Sequence, residues 1–331
     1  MNRLVYSVII PVYNEEEVIS TLISQLCTVM ENLGKPYEIL IIDDGSSDRT
    51  WELLKIASEK YPSLIGYRLN RNFGHQAAVY AGLHLAKGEA VGVMDGDGQD
   101  PPEVLAEMFK RWEEGYDVAY AVRRKRKENF FKRFCYFSFY RIFCRLATID
   151  IPHDSGDFSV MDNRVVDFIT SVTDANPFIR GYRSWYGGKQ IAVEYERGAR
   201  QGGKTKYSWF KLLNLAITGI TSFSKVPLRL ATYTGGLISI LAFFYAVFVV
   251  MRKFIFHFPS SGITSGWSSL ITLVAFLGGL NIFLIGVVGE YIAHIFDATK
   301  KRPVYIVRES TNKRDYMVIG LPGTSVRHGN K

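Results

Sequence analysis

Apolar and polar positions follow two different rhythms along this chain. In the front part, short apolar runs alternate with segments of helical period. Tyr6 to Pro11, Tyr37 to Asp43, Leu64 to Arg68 and Ala90 to Met94 read as buried strands. Val18 to Asn32, Arg49 to Lys60, His75 to Ala86 and Pro102 to Glu114 read as the helices between and after them. This alternation predicts an α/β domain built on a largely parallel sheet with helices on both faces. Ligands of such sheets bind beyond the carboxyl ends of the strands, which points to 12–16, 44–48, 70–76 and 95–100.

After Leu228 the polar positions disappear. Leu230 to Met251 holds no charged residue, and a second uncharged run extends from Phe254 to Gly289. Crossing a bilayer takes about 20 apolar residues. The second run opens on a turn-like stretch (Pro259, Ser260, Ser261, Gly262), so its helix is expected at about Ser268 to Ile292. The pattern predicts a two-helix transmembrane hairpin; the alternative is a buried hairpin in a soluble core, where two such runs in tandem are rare. Lys225, Arg229, Lys300, Lys301, Arg302 and Arg308 flank the hairpin, whereas Arg252 and Lys253 lie in its loop. That asymmetry places both termini in the cytoplasm, at an inner or plasma membrane. No apolar stretch at Met1 to Val5 resembles a cleavable signal peptide. Just ahead of the first run, Trp209, Leu213, Ala216, Ile220 and Phe223 share one helical face and Lys211, Asn214, Thr218, Ser222 and Lys225 another. Such a helix suits the membrane interface, or otherwise the surface of the soluble core. The expected organisation is a cytoplasmic catalytic domain (1–207), an interfacial helix (208–227), two spans (228–295) and a cytoplasmic tail (296–331).

Composition narrows the picture. Lys and Arg number 40 against 32 Asp and Glu, and Gly (29) and Pro (11) are too few for a disordered or fibrous chain of 331 residues. Three cysteines, Cys27, Cys135 and Cys144, argue against a disulfide framework and read as packing residues. Positive charge concentrates between 120 and 150, interleaved with aromatics such as Phe130, Phe134, Phe137 and Tyr140. Basic and aromatic residues together suit either nucleic acid or an anionic membrane. Two adjoining spans decide for the membrane.

Acidic residues collect where the sheet would bind its ligand. Asp43, Asp44 and Asp48 surround Gly45, and Asp95 and Asp97 are separated by one glycine. Carboxylates there can accept hydrogen bonds from a ribose or hold a divalent cation through hard oxygen ligands. Each cluster alone is equally well a turn and a helix cap. Joined to Pro11-Val12-Tyr13-Asn14-Glu15, they are more specific.

These motifs, with Asp43-Asp44-Gly45-Ser46, Arg71-Asn72-Phe73-Gly74 and the continuation Gln99-Asp100-Pro101-Pro102-Glu103, resemble the family 2 glycosyltransferases of the GT-A fold. With the two C-terminal runs they look like its polyprenyl-phosphate branch, similar to dolichyl-phosphate mannose synthase and bacterial glucosyl and aminoarabinosyl transferases. The resemblance covers the chain to about Arg308; a departure is Gly98, where an apolar residue, often Leu, is expected. It implies that Pro11, Tyr13, Glu15 and Asp44 hold the nucleoside, with Gln76 lining the donor pocket at a helix start. It implies that Asp95 and Asp97 meet the ribose, the diphosphate and Mg2+ or Mn2+, with Asp97 the nearer metal ligand. Asp157 matches the acidic residue facing the acceptor, and Arg200, Lys204 and Lys206 are assigned to the lipid phosphate or the donor diphosphate. Because a phosphate monoester is largely ionised above its second pKa of about 6, Asp157 is expected to position the acceptor more than to deprotonate it.

The implied reaction is inverting transfer of one sugar from a nucleotide donor to polyprenyl phosphate. UDP-glucose is the first choice of donor, and UDP-aminoarabinose, UDP-GlcNAc or GDP-mannose the others. A processive synthase is disfavoured because Tyr182-Arg183-Ser184-Trp185 does not match Gln-x-x-Arg-Trp. A non-catalytic scaffold that binds the lipid carrier is disfavoured by the intact acids. Gly235, Gly236, Gly278 and Gly279 allow close helix packing, including that of a homo-oligomer.

Overall fold

The computed structural model describes residues 4–123, 155–172, 174, 177–196, 226–254, 266–300, 302–312 and 318–320. They fall into two compact units, one carrying the sheet and its helices and the other the two long helices at 226–254 and 266–299.

The sheet unit begins with the expected alternation: β1 (Tyr6–Val12), α1 (Ile19–Asn32), β2 (Tyr37–Asp43), α2 (Thr50–Lys60), β3 (Leu64–Leu69), α3 (His75–Leu85), β4 (Ala90–Val93) and α4 (Pro102–Glu113). Every residue of β1 is buried, as expected for a parallel strand covered on both faces. Its Tyr6, Val8, Ile10 and Val12 pack with Ile19, Ile23 and Leu26 of α1 and Leu105, Met108 and Phe109 of α4. Burying each such side chain stabilises the fold by about 1.5–3 kcal/mol. On the opposite face α3 lies so close to β1 that a Cβ at Gly82 would come within 2.2 Å of Ile9 Cγ2. A larger residue there would push helix and strand apart.

Beyond α4 the chain continues as β5 (Val118–Arg123), β6 (Ser155–Asp162), α5 (Asn163–Ser171), α6 (Ile179–Tyr186) and β7 (Gln190–Tyr195). With two strands from the end of the chain, β8 (Tyr305–Ser310) and β9 (Val318–Gly320), the described strands order as β7-β5-β6-β4-β1-β2-β3-β8-β9. β1 to β4 are mutually parallel where they pair, but β6 enters antiparallel between β4 and β5. The sheet is therefore mixed, and the expectation of a largely parallel one holds for its centre. β6 turns straight into α5 through Asp162, whose carboxylate accepts the Arg164 N–H at 3.0 Å and caps the helix.

The segment expected to be a tail supplies β8 (Tyr305–Ser310) and β9 (Val318–Gly320), with β8 antiparallel to β3. Tyr305 and Val307 are buried, and Trp51 donates its indole N–H to Glu309 at 3.1 Å. Gly66 and Thr311 exchange two hydrogen bonds, Gly66 N–H to Thr311 Oγ1 and Thr311 N–H to Gly66 O, each 2.9 Å.

The long helices are α7 (Val226–Phe254) and α8 (Gly266–Thr299), each extending past the span read from the sequence. Among the described residues, Phe276–Asp297 in α8 is long and apolar enough to cross a membrane, while the apolar stretch Ala231–Tyr245 in α7 is shorter. One span, rather than the expected two, thus meets the length requirement. Side chains such as Leu237, Ile240, Phe243, Ile282 and Ile285 are exposed. A Cβ at Gly235, Gly236, Gly278 or Gly279 would meet nothing within 4 Å, so these glycines do not serve close packing inside the chain among the described residues. The interfacial helix and most of the basic segment at 120–150 lie outside the described residues.

Candidate active site

Three loops at the carboxyl ends of β1, β2 and β3 are tied together by hydrogen bonds from backbone N–H groups to side-chain oxygens. Asn14, at φ 56°, takes the left-handed conformation that Asn tolerates better than most residues. Its N–H donates to Ser46 Oγ at 2.9 Å, and its Oδ1 accepts the Ser47 N–H at 2.8 Å. The Glu15 N–H donates to Thr50 Oγ1 at 3.0 Å. Gly45 faces the β3–α3 loop so closely that a Cβ would lie 2.7 Å from the Arg71 carbonyl carbon. Asp44 is buried, and its two carboxylate oxygens accept the N–H groups of Phe73 (2.7 Å) and Gly74 (2.9 Å). Asp43 accepts the Ser46 N–H at 2.9 Å and pairs with Arg68 Nε at 3.3 Å. Burial pushes both carboxyls up, against the pull of those backbone donors. Asp44 therefore pins the β3–α3 loop where α3 starts. Tyr13 projects from the same rim, 45% exposed.

The β4–α4 loop carries the paired acids. A Cβ at Gly96 would fall 2.6 Å from Val12 Cγ1 and 2.8 Å from Pro11 O, so only glycine fits between Asp95 and Asp97. Gly98 has φ +72°, and a Cβ there would sit 2.7 Å from Val18 Cγ1, which accounts for the missing apolar residue at that position. Asp97 Oδ1 accepts the Gln99 N–H at 3.1 Å. Asp95 is pushed up to about 6, first by burial and then by the charges of Asp100, Asp157 and Asp97, with His75 countering.

Asp157 enters from β6, 9% exposed, and gathers three side chains. His75 Nε2 lies 3.2 Å from its Oδ2 and 3.7 Å from Asp95 Oδ1. Gln76 Nε2 donates to Oδ2 at 2.9 Å, and Arg180 donates from Nε to Oδ1 at 2.8 Å and from Nη2 to Oδ2 at 3.3 Å. Burial would raise the Asp157 pKa, but the hydrogen bonds and charges of His75 and Arg180 hold it well below the usual carboxylate range. Asp157 and Asp95 raise His75 against its own desolvation. Behind them Arg183 is almost wholly buried, donates from Nη2 to Gly156 O at 3.3 Å and stacks over Tyr120. Burial lowers it to about 10. On the flank, Tyr195 donates its hydroxyl to buried Asp100 at 2.8 Å and accepts from Arg123 Nε at 3.3 Å.

Of the residues singled out in the sequence, Asp95, Gln76 and Asp157 are thus linked with His75 in one cluster. Pro11, Tyr13, Glu15, Asp44 and Asp97 line the neighbouring loops. Arg200, Lys204 and Lys206 lie outside the described residues. Sequence reasoning missed Arg180, Arg183, Asp100 and Tyr195 as site residues. The signal for the first two was a pair of arginines three apart in the aromatic-rich stretch Phe178 to Trp185.

Among the described residues no three His, Cys, Asp or Glu side chains could hold a metal by themselves. Two carboxylates at a loop, crowded by further acids, suit a cation that takes its remaining ligands from phosphate oxygens and water. An acidic pair in the loop after a central parallel strand, beside two further strand-end loops, is a layout on which an α/β sugar-nucleotide transferase can be built. The comparisons make that class particular. The family model "Glycosyl transferase family 2" matches residues 7–169. The uncharacterized glycosyltransferase YkcC of Bacillus subtilis is 47% identical over 315 residues, covering 94% of this chain and 96% of its own. The SfII prophage-derived bactoprenol glucosyl transferase of Shigella flexneri is 38% identical over 307 residues, covering 92% of this chain and 97% of its own. Among solved structures, the mannosyltransferase PcManGT of Pyrobaculum calidifontis, in complex with GDP-Man and Mn2+, superposes with a TM-score of 0.46 at 16% identity over 91% of this chain and 86% of its own. The chain belongs to glycosyl transferase family 2.

Proposed function

We propose that this glycosyltransferase moves one glucosyl unit from UDP-glucose to a polyprenyl phosphate at the cytoplasmic face of the membrane, inverting C1. The reading is carried by one observation: the acids Asp95 and Asp97 stand at the strand ends beside a cluster whose Arg180 and His75 suit phosphate chemistry. Relatives at 37–38% identity, matched over more than nine-tenths of their length, are bactoprenol glucosyl transferases, which supports the acceptor class and glucose.

In this reading Asp97, with Asp95, holds Mg2+ or Mn2+, which neutralises charge on the departing nucleoside diphosphate. Pro11, Tyr13, Glu15 and Asp44 enclose the nucleoside, and Gln76 fixes the start of α3 beside the sugar. Asp157, ionised and held by Arg180, His75 and Gln76, is a weak base. The acceptor phosphate needs none, since an oxygen of its dianion attacks C1 while the C1–O bond to the diphosphate breaks. Arg200, Lys204 and Lys206 add cations on the phosphate side.

The membrane arrangement draws support from connectivity. β7 and β8 belong to one sheet, with α7 and α8 between them in the chain. A chain that leaves a folded domain and returns to it crosses a bilayer an even number of times. If Phe276–Asp297 spans, α7 supplies the second crossing.

The test is transfer of label from UDP-glucose into the organic phase by protein purified in detergent, with a short polyprenyl phosphate as acceptor. Transfer that stops with chelator and in Asp97→Ala supports the reading; undiminished transfer in Asp97→Ala overturns the metal assignment. If wild type binds nucleotide yet transfers from GDP-mannose, UDP-GlcNAc or UDP-aminoarabinose and not from UDP-glucose, the donor is wrong and the class stands.

A further inference from the structure

We propose that Arg68 is a positioning residue for the nucleoside-holding loop after β2, and that β8, the strand beyond the two long helices, steadies it there. The inference rests on the donor site proposed above and names what shapes it. Arg68 stands on β3 and reaches back to the turn from Asp43 to Ser46. Its Nη2 donates to Ser46 O at 2.9 Å, and its Nε lies 3.3 Å from Asp43 Oδ2. That oxygen is buried and accepts no hydrogen bond among the described residues, so the guanidinium charge beside it is what offsets its burial. Asp43 Oδ1 meanwhile accepts the Ser46 N–H at 2.9 Å. Ser46 is thus gripped at both its N–H and its carbonyl, with its Oγ accepting the Asn14 N–H at 2.9 Å. Gly45, next to it, has φ +71° and no room for a Cβ against Arg71. A shift of Ser46 would accordingly pull on the β1 loop that carries Tyr13 and Glu15.

What holds Arg68 comes from the other end of the chain. Arg68 is in register with Glu309 of antiparallel β8, so both side chains rise from one face of the sheet. Trp51 of α2 joins them. It is almost wholly buried, its ring centroid lies 5.8 Å from Arg68 Cζ, and its Nε1 donates to Glu309 Oε2 at 3.1 Å. A guanidinium over an indole face is attracted to it, which fixes the plane of the Arg68 fork. β8 is itself tied to β3 two residues away, through the paired hydrogen bonds of Gly66 and Thr311. A Cβ at Gly66 would come within 3.0 Å of Thr311 Cγ2 and 3.3 Å of Trp51 Cζ3, so the strand and the indole close on this point from two sides. Glu309 thus sets Trp51, Trp51 sets Arg68, and Arg68 sets Ser46. Asp95 and Asp97 stand on a different loop, the one after β4, so this brace bears on the nucleoside rather than on the metal and the diphosphate.

The experiment measures binding without turnover. UDP and inorganic pyrophosphate, each with Mn2+, are titrated into full-length protein in detergent. Arg68→Met removes the charge and the donors, and is expected to weaken UDP about tenfold while leaving pyrophosphate within about twofold. A merely structural loss would lower both alike. Arg68→Lys should fall between, keeping a charge beside Asp43 and losing the fork. Glu309→Ala should weaken UDP about threefold, and adding it to Arg68→Met should bring no further loss, since it acts through Arg68. Should Arg68→Met not fold, Arg68→Lys and Glu309→Ala carry the same comparison of UDP with pyrophosphate. Unchanged UDP affinity in the Arg68 variants overturns the proposal, and so does an equal loss for pyrophosphate. Full additivity of Glu309→Ala with the Arg68 variant overturns the part given to β8. If wild type binds UDP yet transfers no sugar, the transferase reading fails, and a selective loss of UDP in Arg68→Met still supports the brace.

Discussion

At the scale of single residues, the site is written by glycines as much as by acids. Gly98 departs from the usual family pattern, and the reason is its φ of +72° together with Val18 Cγ1, 2.7 Å from where a Cβ would stand. Gly98→Leu is therefore expected to destabilise the fold by about 1–3 kcal/mol and to weaken nucleotide binding, read by thermal unfolding and by titration with UDP. Asp95 yields a pH dependence. Its pKa rises from 3.8 in the unfolded chain to about 6 in the fold. Folding thus favours the protonated form, so this contribution is fully present below the unfolded value and is lost as pH rises through about 6. Metal-free protein should lose at most about 3 kcal/mol from this group between pH 4 and 7. Asp95→Asn should flatten that part of the melting-temperature profile, and saturating Mn2+ should oppose the loss in wild type. A profile identical in Asp95→Asn and wild type would contradict it. Asp95, Asp97 and Asp157 were singled out through the family resemblance of the motifs around them, since carboxylates in strand-end loops serve equally well as turn and cap residues. Arg180 was not, because its meaning depends on a partner 23 positions away.

At the scale of elements, periodicity served well wherever an element buries one continuous face. α1 begins one residue from its expected start, and α4 ends one residue from its expected end. It failed for β6 and β8, since antiparallel strands inserted late in the chain owe their place to partners far away in sequence. β8 shows how much such a strand contributes. Tyr305 is wholly buried, and its hydroxyl has no hydrogen-bond partner among the described residues. Tyr305→Phe removes an unsatisfied polar atom and is expected to be neutral or stabilising by up to about 1 kcal/mol. Tyr305→Ala should cost about 3–5 kcal/mol through the cavity it leaves. Chemical unfolding of the two variants checks both, and a Tyr305→Phe loss as large as that of Tyr305→Ala would show that the hydroxyl is satisfied after all.

At the scale of the whole molecule, the return of the chain to the sheet makes a topological demand. α7 and α8 are flanked by strands of one sheet, so in the proposed arrangement their connection lies across the membrane and both flanks on one side. With the native cysteines replaced, Ser261→Cys should react with an impermeant thiol reagent only from the side opposite to Asn312→Cys. Labelling of both from one side would remove the hairpin. The charge-rich front and apolar back were plain in the sequence, because charge-free runs are visible without structure. The return of residues beyond the apolar helices to the sheet was not, since a short edge strand carries too weak a period to be read alone.

A single displacement at C1 by a lipid phosphate is the central step of the proposed reaction. Its most direct test is to incubate purified protein with UDP-glucose and a short polyprenyl phosphate, then determine the product's mass, its anomeric configuration and the nucleotide released. One hexose on one phosphate, in the β configuration, with an equal amount of UDP, is the predicted result. Release of UMP, retention of the α configuration or more than one hexose per lipid would contradict it.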